Sequence, residues 1–254
     1  MGVWLGPMGG KVKGGGDVDY TGNGEFYSDG NGNWEIMLKS SGTLTFKKSP
    51  GIVDVFLVGA GNDGSAGSIK YDQTHSRAIG GTGGEAGGTA TKTVSGLRRN
   101  VGYAAKVGVT SGGDMDTEIF DESVYGYITP GAEGAWSGEI GVDPGSGNAG
   151  AVTGGSKAFG ESGTHFGGDT MFGVPGGGGA AAVSTNGSAI AASGNGGTIT
   201  TGTWTASGGG NAAANTGNGG GGGAGLMKSG RSDASSSYGT GADGCIIIRN
   251  HRGD

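Results

Sequence analysis

Glycine content is the feature that most limits what this chain can fold into. Of its 254 residues, 67 are glycine, and charged residues make up only 15%. Glycine in a helix interior costs about 1 kcal/mol relative to alanine, and few stretches of helix length here are free of it. The composition excludes an α/β domain with helices on both faces of a sheet. It predicts an all-β fold with almost no α-helix.

Large apolar residues gather in short runs that glycine-rich connections separate. Strong strand patterns occupy residues 34–38, 42–48, 52–58, 89–94, 102–109 and 245–249, and weaker ones occupy 123–129, 156–159 and 198–205. Short strands of this kind predict a β-sandwich or jelly-roll-like core. The two most apolar runs, 52–58 and 245–249, lie far apart in the chain, and we expect them to share one core.

A long glycine-rich insert, residues 111–240, is predicted to lie between these strands. Glycine at every third position suits a polyproline-II-type helix, which has three residues per turn. Such triplets occur at positions 61/64/67, 81/84/87, 173/176/179, 217/220/223 and 219/222/225. Their number is about what the glycine content alone produces. The spacing therefore leaves two alternatives open, a polyglycine-II helix bundle and irregular loops.

Charge and targeting signals argue against several classes of function. Residues 107–156 contain eight acidic residues and no Lys or Arg, and the whole chain has a net charge of −6. Without a basic stripe we expect no nucleic-acid binding. No apolar run approaches 18 residues, and the first eleven residues lack a signal-peptide pattern, so membrane insertion and secretion by a leader are not expected. The single Cys245 precedes an apolar run and is predicted to be buried.

Motifs for cofactors and catalysis fail on their context. The GAGNDG sequence at residues 59–64 has the spacing of a dinucleotide-binding turn, but no helical pattern follows it. The three histidines, at positions 75, 165 and 251, lie far apart, and the chain has no nucleophile elbow. We therefore expect no cofactor, no catalytic residues and no enzymatic activity.

Three acidic residues in the insert are weak candidates for a metal site. Asp114, Asp116 and Glu118 alternate along the chain, and carboxylates are the ligands that Ca²⁺ prefers. An EF-hand loop starting at Asp114 would need glycine at its sixth position, where this chain has Ile119. A solvated acidic loop without metal is the favoured interpretation. The same acids also leave open a glycosidase pair, which would make the protein a polysaccharide depolymerase.

Aromatic residues in glycine-rich stretches are the candidate contact residues. Rigid aromatic side chains on loops suit stacking on sugars or anchoring of a protein partner. The candidates that lie outside the strong strands are Tyr125, Tyr127, Trp136, Phe166 and Phe172. The alternative for each is that its ring fills a gap in a core that has few side chains.

Four motifs in this order resemble a known family. They are IVDVFLVGAG at residues 52–61, GGTGGEAGG at 80–88, YAAKVG at 103–108 and GADGCIIIR at 241–249. The chain resembles the glycine-rich domain family of tail-fibre and receptor-binding proteins of phages and prophages, similar in style to the distal tail-fibre adhesins of T-even phages. The resemblance covers residues 40–110 and 217–250. It implies a β-sandwich that carries polyglycine-II helices.

The resemblance also implies a function. We expect a tail-tip adhesin that presents loops to a polysaccharide or protein receptor on a bacterial surface. The alternatives are a purely structural virion or tail-fibre component and, less favoured, the depolymerase. Residues 1–20 are predicted to dock onto other tail proteins, and residues 21–254 to form one glycine-rich β domain. The family implies a homotrimer in the virion, made in the host cytoplasm.

Overall fold

The computed structural model confirms an all-β protein. It describes residues 3–5, 12–14, 17–71, 76–110, 112–135, 146–147, 150, 152–161, 164–183, 196–200, 205–227 and 234–252. Within these ranges there is no α-helix, and the one helical turn is a 3-10 turn at Ala158–Gly160. None of the described segments forms a helix long and apolar enough to cross a membrane.

Twenty strands are described, and most of them are short. In chain order they are β1 (Val3–Leu5), β2 (Val12–Gly14), β3 (Val18–Tyr20), β4 (Gly24–Ser28), β5 (Trp34–Leu38), β6 (Gly42–Phe46), β7 (Val53–Val58), β8 (Ser68–Tyr71), β9 (Ser76–Ile79), β10 (Thr89–Val94), β11 (Gly102–Lys106), β12 (Thr117–Ile119), β13 (Glu122–Val124), β14 (Ser146–Gly147), β15 (Ala181–Val183), β16 (Ile199–Thr200), β17 (Thr205–Ala206), β18 (Gly225–Met227), β19 (Ala234–Ser235) and β20 (Cys245–Asn250).

Two six-stranded sheets form the sandwich. The front sheet has the order β1-β4-β5-β20-β7-β10, and the back sheet has the order β13-β12-β11-β6-β3-β2. All neighbouring strands in both sheets are antiparallel. Their facing side chains form one core, which contains Ile36, Val55 and Ile246 from the front sheet and Tyr20, Leu44 and Ile119 from the back sheet.

The two most apolar strands pair directly, as the sequence predicts. β20 lies beside β7 in an antiparallel register that sets Cys245 opposite Val58 and Asn250 opposite Val53. Alternate residues of β7 point to opposite faces: Val55 and Leu57 enter the sandwich core, while Phe56 and Val58 enter a second cluster. Because both faces of β7 are covered, its sequence is almost continuously apolar.

A segment outside the sheets, which includes residues 156–161 and 164–172, covers the second face of the front sheet. We call it the covering segment. Ala158, Phe166 and Phe172 pack there against Phe56 and Ile247. Cys245 is fully buried in this cluster, as predicted, and burial raises the pKa of its thiol. The predicted strand at residues 156–159 is wrong, because Ser156 makes only an isolated bridge to Phe172 and the chain then turns at Phe159, whose φ is +56°.

Seven extended segments form a glycine bundle at one end of the sandwich. They are residues 60–67, 80–87, 129–135, 173–180, 207–212, 217–225 and 236–242. Almost none of their residues belong to a sheet, yet their backbones are hydrogen-bonded to one another throughout. The bundle is therefore a separate layer of backbone packing, continuous with β7, β10 and β20.

Hydrogen bonds within the bundle repeat every three residues. The N–H groups of Gly61, Gly64 and Gly67 donate to the carbonyls of residues 242, 239 and 236, at 2.9–3.1 Å. Those of Gly81, Gly84 and Gly87 donate in the same way to residues 223, 220 and 217, at 2.7–2.9 Å. A three-residue repeat is the period of a polyproline-II-type helix. Of the two alternatives for the glycine-rich region, the hydrogen bonds match the polyglycine-II bundle.

Residues 217–225 form the centre of the bundle. Their backbone groups bond to the segments at 60–67, 80–87, 173–180, 207–212 and 236–242. Gly219 and Gly222, for example, donate to Val174 and Gly177 at 2.9 Å, whereas Gly220 and Gly223 donate to Asn62 and Ser65 at 2.9–3.0 Å. Successive N–H groups therefore point to different neighbours, as a helix with three residues per turn requires.

Close approach of backbones makes glycine necessary at the centre. A Cβ atom added to Gly222 would lie 2.8 Å from the carbonyl carbon of Thr82 and nearer still to the carbonyl group of Gly81. Real Cβ atoms essentially never come within 3.0 Å of another heavy atom. Gly81 is equally restricted by the carbonyl group of Ser65. An alanine at either position would push two segments apart and break the bonds between them.

The bundle has a distal end, which we define as the end away from the sandwich. There the segments run into a four-stranded sheet of order β14-β15-β18-β19 and the hairpins β8–β9 and β16–β17. Two small clusters fill this end: Ala180, Ile199, Ala224 and Leu226 form one, and Ala78, Ala181 and Met227 form the other. The distal end thus has its own side-chain packing.

The structure corrects the predicted boundaries. The bundle is not confined to residues 111–240, because the segments 60–67 and 80–87 belong to it. Residues 1–20 include β1, β2 and β3, which are strands of the two sheets, and Val18 and Tyr20 are buried in the sandwich core. The described part of the predicted docking segment is therefore integral to the sandwich.

We expect Gly222→Ala to destabilise the protein, because its new methyl group overlaps the backbone of residues 81–82. Overpacking of this kind costs about 2 kcal/mol, which lowers the melting temperature by about 4–8 °C in a domain of this size. Thermal unfolding followed by circular dichroism measures the shift. Ala66→Val is the matched control, since Ala66 is exposed in a bundle segment and tolerates added volume. Equal melting temperatures for the two variants would contradict the packing described here.

Candidate functional site

Two of the predicted contact residues lie together on one exposed loop. Tyr125 and Tyr127 follow β13, and their side chains are 67% and 50% exposed. The neighbouring Ile128 is 57% exposed. The loop lies where the back sheet meets the glycine bundle, so these side chains are at the junction and not at the distal end.

Backbone hydrogen bonds hold this loop on both sides. The Tyr127 N–H donates to the carbonyl of Ala60 at 3.0 Å, and the Ile128 N–H donates to that of Ala86 at 2.9 Å. The carbonyl of Tyr125 accepts from Gly88 N–H at 2.9 Å. Tyr127 has a φ of +26°, which a non-glycine residue adopts only where its surroundings fix it. The loop is therefore preorganised by the bundle.

The structure corrects the exposure expected of the two phenylalanines. Phe166 and Phe172 are only 6% and 1% exposed, and both belong to the cluster on the second face of the front sheet. Phe172 packs edge-on against Phe56, with ring centroids 5.4 Å apart. They fill a core, which is the alternative interpretation of their sequence positions. The fifth candidate, Trp136, lies outside the described residues.

The three candidate metal ligands gather around a lysine. The hydrogen bond that Lys106 donates to Asp114 lowers the pKa of Asp114. The same hydrogen bond raises the pKa of Lys106, and the charges of Asp114, Asp116 and Glu118 raise it further. Asp116 also accepts a hydrogen bond from the Gly126 N–H at 3.0 Å, which ties it to the tyrosine loop. An ammonium group thus lies among these carboxylates.

No group of three metal-binding side chains occurs among the described residues. The two described histidines have structural neighbours. His165 stacks on Tyr27 with ring centroids 3.6 Å apart, and His251 Nδ1 lies 2.8 Å from Asp54 Oδ1. These contacts place both rings against the front sheet, away from the tyrosine loop.

Five stretches of chain that are not described begin and end at the distal end. They are residues 72–75, 136–145, 184–195, 201–204 and 228–233. The described residues that flank them belong to β8, β9, β14, β15, β16, β17, β18 and β19 or directly adjoin a bundle segment. Of the six connections between successive bundle segments, four therefore start at this end, whereas those at residues 88–128 and 213–216 lie on the side of the sandwich.

A buried row of charges crosses the second face of the front sheet. In the strand register Arg249 lies between Glu35 and Asp54, and all three are at most 5% exposed. Arg249 Nε lies 3.4 Å from Asp54 Oδ2, and Nη1 donates to Glu161 at 3.1 Å. Glu35 accepts hydrogen bonds from Arg252 at 2.7 Å and from the Phe166 N–H at 3.0 Å. The row thereby fastens the covering segment to the sheet.

The pattern of the sequence does not predict this row, although it carries one signal for it. Asp54 interrupts the apolar run at residues 52–58, and a charge inside such a run is rarely buried unless it is paired. Burial alone would raise the pKa of Asp54. Hydrogen bonds from His251 and Thr93 and the charges of His251 and Arg249 outweigh burial, so its pKa is lowered.

A cleft of about 320 Å³ opens between the two sheets at the end opposite the bundle. Val18, Phe26, Trp34 and Phe46 line it, and the exposed ion pair of Asp17 with Lys48 lies at its rim. Val3, Ser28, Trp34 and Asn250 lie in one row across the front sheet at this same end. Both ends of the described chain therefore lie away from the bundle.

Comparisons with known proteins give no match. The chain matches no family model, no curated protein and no solved structure. Its likeness to the glycine-rich tail-fibre domains therefore rests on the motifs alone and remains a prediction.

We expect Asp54→Asn to destabilise the protein by about 3 kcal/mol, because it leaves the buried Arg249 without its closest buried counter-charge. Urea denaturation at pH 7 measures the change. Asp17→Asn is the control, since Asp17 pairs with Lys48 at the exposed surface and such pairs contribute little. Similar losses in the two variants would contradict a structural role for the charged row.

The effect of Asp54→Asn should also depend on pH. Because the pKa of Asp54 is lower in the folded protein than in the unfolded chain, its carboxylate contributes stability that is complete above about pH 5 and is lost as the pH falls below about 4. The difference in unfolding free energy between wild type and variant should therefore be smaller at pH 3.5 than at pH 5. A difference at pH 3.5 that equals or exceeds the difference at pH 5 would overturn this assignment.

Proposed function

We propose that this protein is a phage or prophage tail-tip receptor-binding protein that presents loops to a bacterial surface. The observation that carries the proposal is the arrangement of the glycine bundle. Its segments run away from the sandwich, and four of the six connections between them start at the distal end. A receptor-binding protein needs such a projection, with its variable parts at the tip.

The bundle is suited to hold recognition loops in place. Its segments are joined by backbone hydrogen bonds, and glycine at the contacts allows them to approach closely. Since backbone groups hold the bundle segments together, the connections at their distal end can change in sequence without disturbing the contacts between segments. Binding residues are commonly found on loops that a rigid scaffold positions.

The ends of the described chain support the same orientation. Val3 and Asn250 lie at the sandwich end opposite the bundle. Attachment to other tail proteins through this end would leave the distal loops free to meet the host. The corresponding location is the tail tip of the virion, after synthesis in the host cytoplasm, and a homotrimer is proposed by analogy with the family.

A purely structural role in the virion is the second candidate. Exposed apolar side chains at the junction, including Tyr125 and Ile128, would favour it if they contact other tail proteins. A depolymerase has less support, because Asp114 is paired with Lys106 and Asp116 accepts from Gly126. The proposal therefore assigns the protein to binding and not to catalysis.

A fluorescent fusion tests the adhesin proposal. The fluorescent protein is joined at the sandwich end, and labelling of a panel of bacteria is measured by flow cytometry. In a second variant, Asn-Gly replaces residues 70–77 of the β8–β9 hairpin. This change retains the pairing of Ile69 with Ala78 and uses a turn that two-residue hairpins favour.

We expect the wild-type fusion to label at least one host and the shortened hairpin to reduce labelling at least tenfold. Asn31→Ala, an exposed change in the β4–β5 turn at the other end, should leave labelling unchanged. Melting temperatures of all fusions verify that they are folded. A fusion that labels no bacterium of the panel yet assembles into particles would favour the structural role.

A further inference from the structure

Exposed apolar side chains are concentrated at the junction of sandwich and bundle. Among the described residues, eight large apolar side chains are exposed, and four of them are Val109, Tyr125, Tyr127 and Ile128. The half-buried Met115 lies between them. We call these five residues the tyrosine patch. Such a concentration on one face is typical of an interaction surface, whereas exposed apolar residues scattered singly need no explanation.

Backbone contacts bring the segments that carry the patch together. Val109 N–H donates to the carbonyl of Asp114, next to Met115, at 3.0 Å. The Met115 carbonyl accepts from Ala60 N–H at 2.9 Å, and the Ala60 carbonyl accepts from Tyr127 N–H at 3.0 Å. Three segments that are distant in the chain thus meet at Ala60.

The patch is rigid before any partner arrives. Both flanks of the tyrosine loop are bonded to bundle segments, and its central N–H, on Gly126, is bonded to Asp116. Gly126 is also packed so closely on Met115 that a Cβ there would clash with it. Tyrosines on a fixed backbone lose little conformational freedom on binding, which is why they recur as anchors in binding surfaces.

An acidic rim borders the patch. Asp114, Asp116 and Glu118 adjoin Met115 in the chain, and Lys106 is the cation that the structure places among them. Three carboxylates and one ammonium leave a net charge of about −2 on this rim, which the bond from Gly126 N–H to Asp116 joins to the tyrosine loop. The described part of residues 107–135 contains no Lys or Arg.

We propose that the tyrosine patch binds a basic polypeptide segment, one that sets an apolar or aromatic side chain against Tyr125 and Tyr127. Its Lys or Arg side chains would lie over the acidic rim, where Glu118 and the exposed Asp114 provide the opposite charge. Arginine or lysine over a tyrosine ring adds a cation–π attraction. Charge complementarity of this kind sets specificity and the rate of association.

This site is separate from the proposed receptor-binding end. The tyrosine loop is bonded to Ala60 and Ala86, which lie at the sandwich end of their bundle segments. The inference rests on exposure, contacts and charge and does not require the distal loops to bind a host. If the adhesin proposal fails, the proposal for the tyrosine patch still stands, and if the patch binds no peptide, the adhesin proposal still stands.

Short peptides test the chemistry of the patch. The probe is a fluorescein-labelled peptide of sequence Gly-Lys-Trp-Arg-Gly, with Gly-Glu-Trp-Glu-Gly and Gly-Lys-Gly-Arg-Gly as matched controls. Fluorescence anisotropy at low salt should show the first peptide binding at least tenfold more tightly than either control. Because the rim is exposed, raising the salt to 0.5 M should weaken binding about fivefold.

Two double variants separate the apolar from the charged contribution. Tyr125→Ala with Tyr127→Ala should weaken binding of the basic peptide at least tenfold. Asp114→Asn with Glu118→Gln should weaken it less and remove most of the salt dependence. Asp116 is left intact because it holds Gly126. The control is Tyr71→Ala with Tyr238→Ala, which removes two exposed tyrosines elsewhere and should change nothing.

Several results would overturn the proposal. One is that the acidic peptide binds as tightly as the basic peptide. Another is that the Tyr71→Ala, Tyr238→Ala control loses as much binding as the Tyr125→Ala, Tyr127→Ala variant. A third is that no peptide binds. Sedimentation velocity tests a different occupant: self-association that Tyr127→Ala abolishes would make the patch a contact between copies of this chain. Binding to a neutral glycan array that the tyrosine variant alone loses would assign the patch to sugar.

Discussion

The backbone hydrogen bond made at every third residue between glycine-rich segments is the interaction on which this structure depends. It lets the chain form an ordered region with very few large side chains. The bond requires neighbouring backbones to approach closely, as at Gly81 and Gly222, and so fixes glycine at the contacts. Glycine also loses more conformational freedom on folding than any other residue. Ordering these segments is therefore costly, and the sandwich offsets part of the cost by holding several segment ends in place through β7, β10 and β20.

Sandwich and bundle depend on each other in return. The second face of the front sheet is apolar around Phe56 and Ile247, and the segment that covers it leads directly into the bundle segment at 173–180. The charged row of Glu35, Arg249 and Asp54 holds that covering segment on the same face through Phe166 and Glu161. The result is a chain in which side-chain packing is concentrated at one end and backbone packing at the other. The tyrosine patch lies where the two kinds of packing meet.

The sequence allowed the strands of the sandwich to be predicted, because their apolar runs contrast with the glycine around them. β5 and β10 match their predicted bounds, and β7 and β20 pair as expected. The bundle could not be predicted from glycine counts. The glycine content alone accounts for the number of triplets, so this number does not indicate a bundle. Their positions do, because the glycines of all five triplets donate backbone hydrogen bonds. For the site, Tyr125 and Tyr127 lie on an exposed loop, because the weak strand predicted at 123–129 ends at Val124. Phe166 and Phe172 are buried, and no local sequence pattern shows that the second face of the front sheet needs to be covered.

The three-residue repeat also limits how the chain can change in length. Each residue in a polyproline-II-type segment turns the next by about 120°, so adding one residue redirects every following N–H to the wrong neighbour. It would also move side chains such as those of Ser65 and Thr82 into positions where, in the present structure, a glycine packs against a neighbouring backbone. Insertions and deletions inside the bundle should therefore be tolerated in multiples of three. Connections outside the bundle segments are free of this rule, and length variation among related chains would be expected to collect in them in any number of residues.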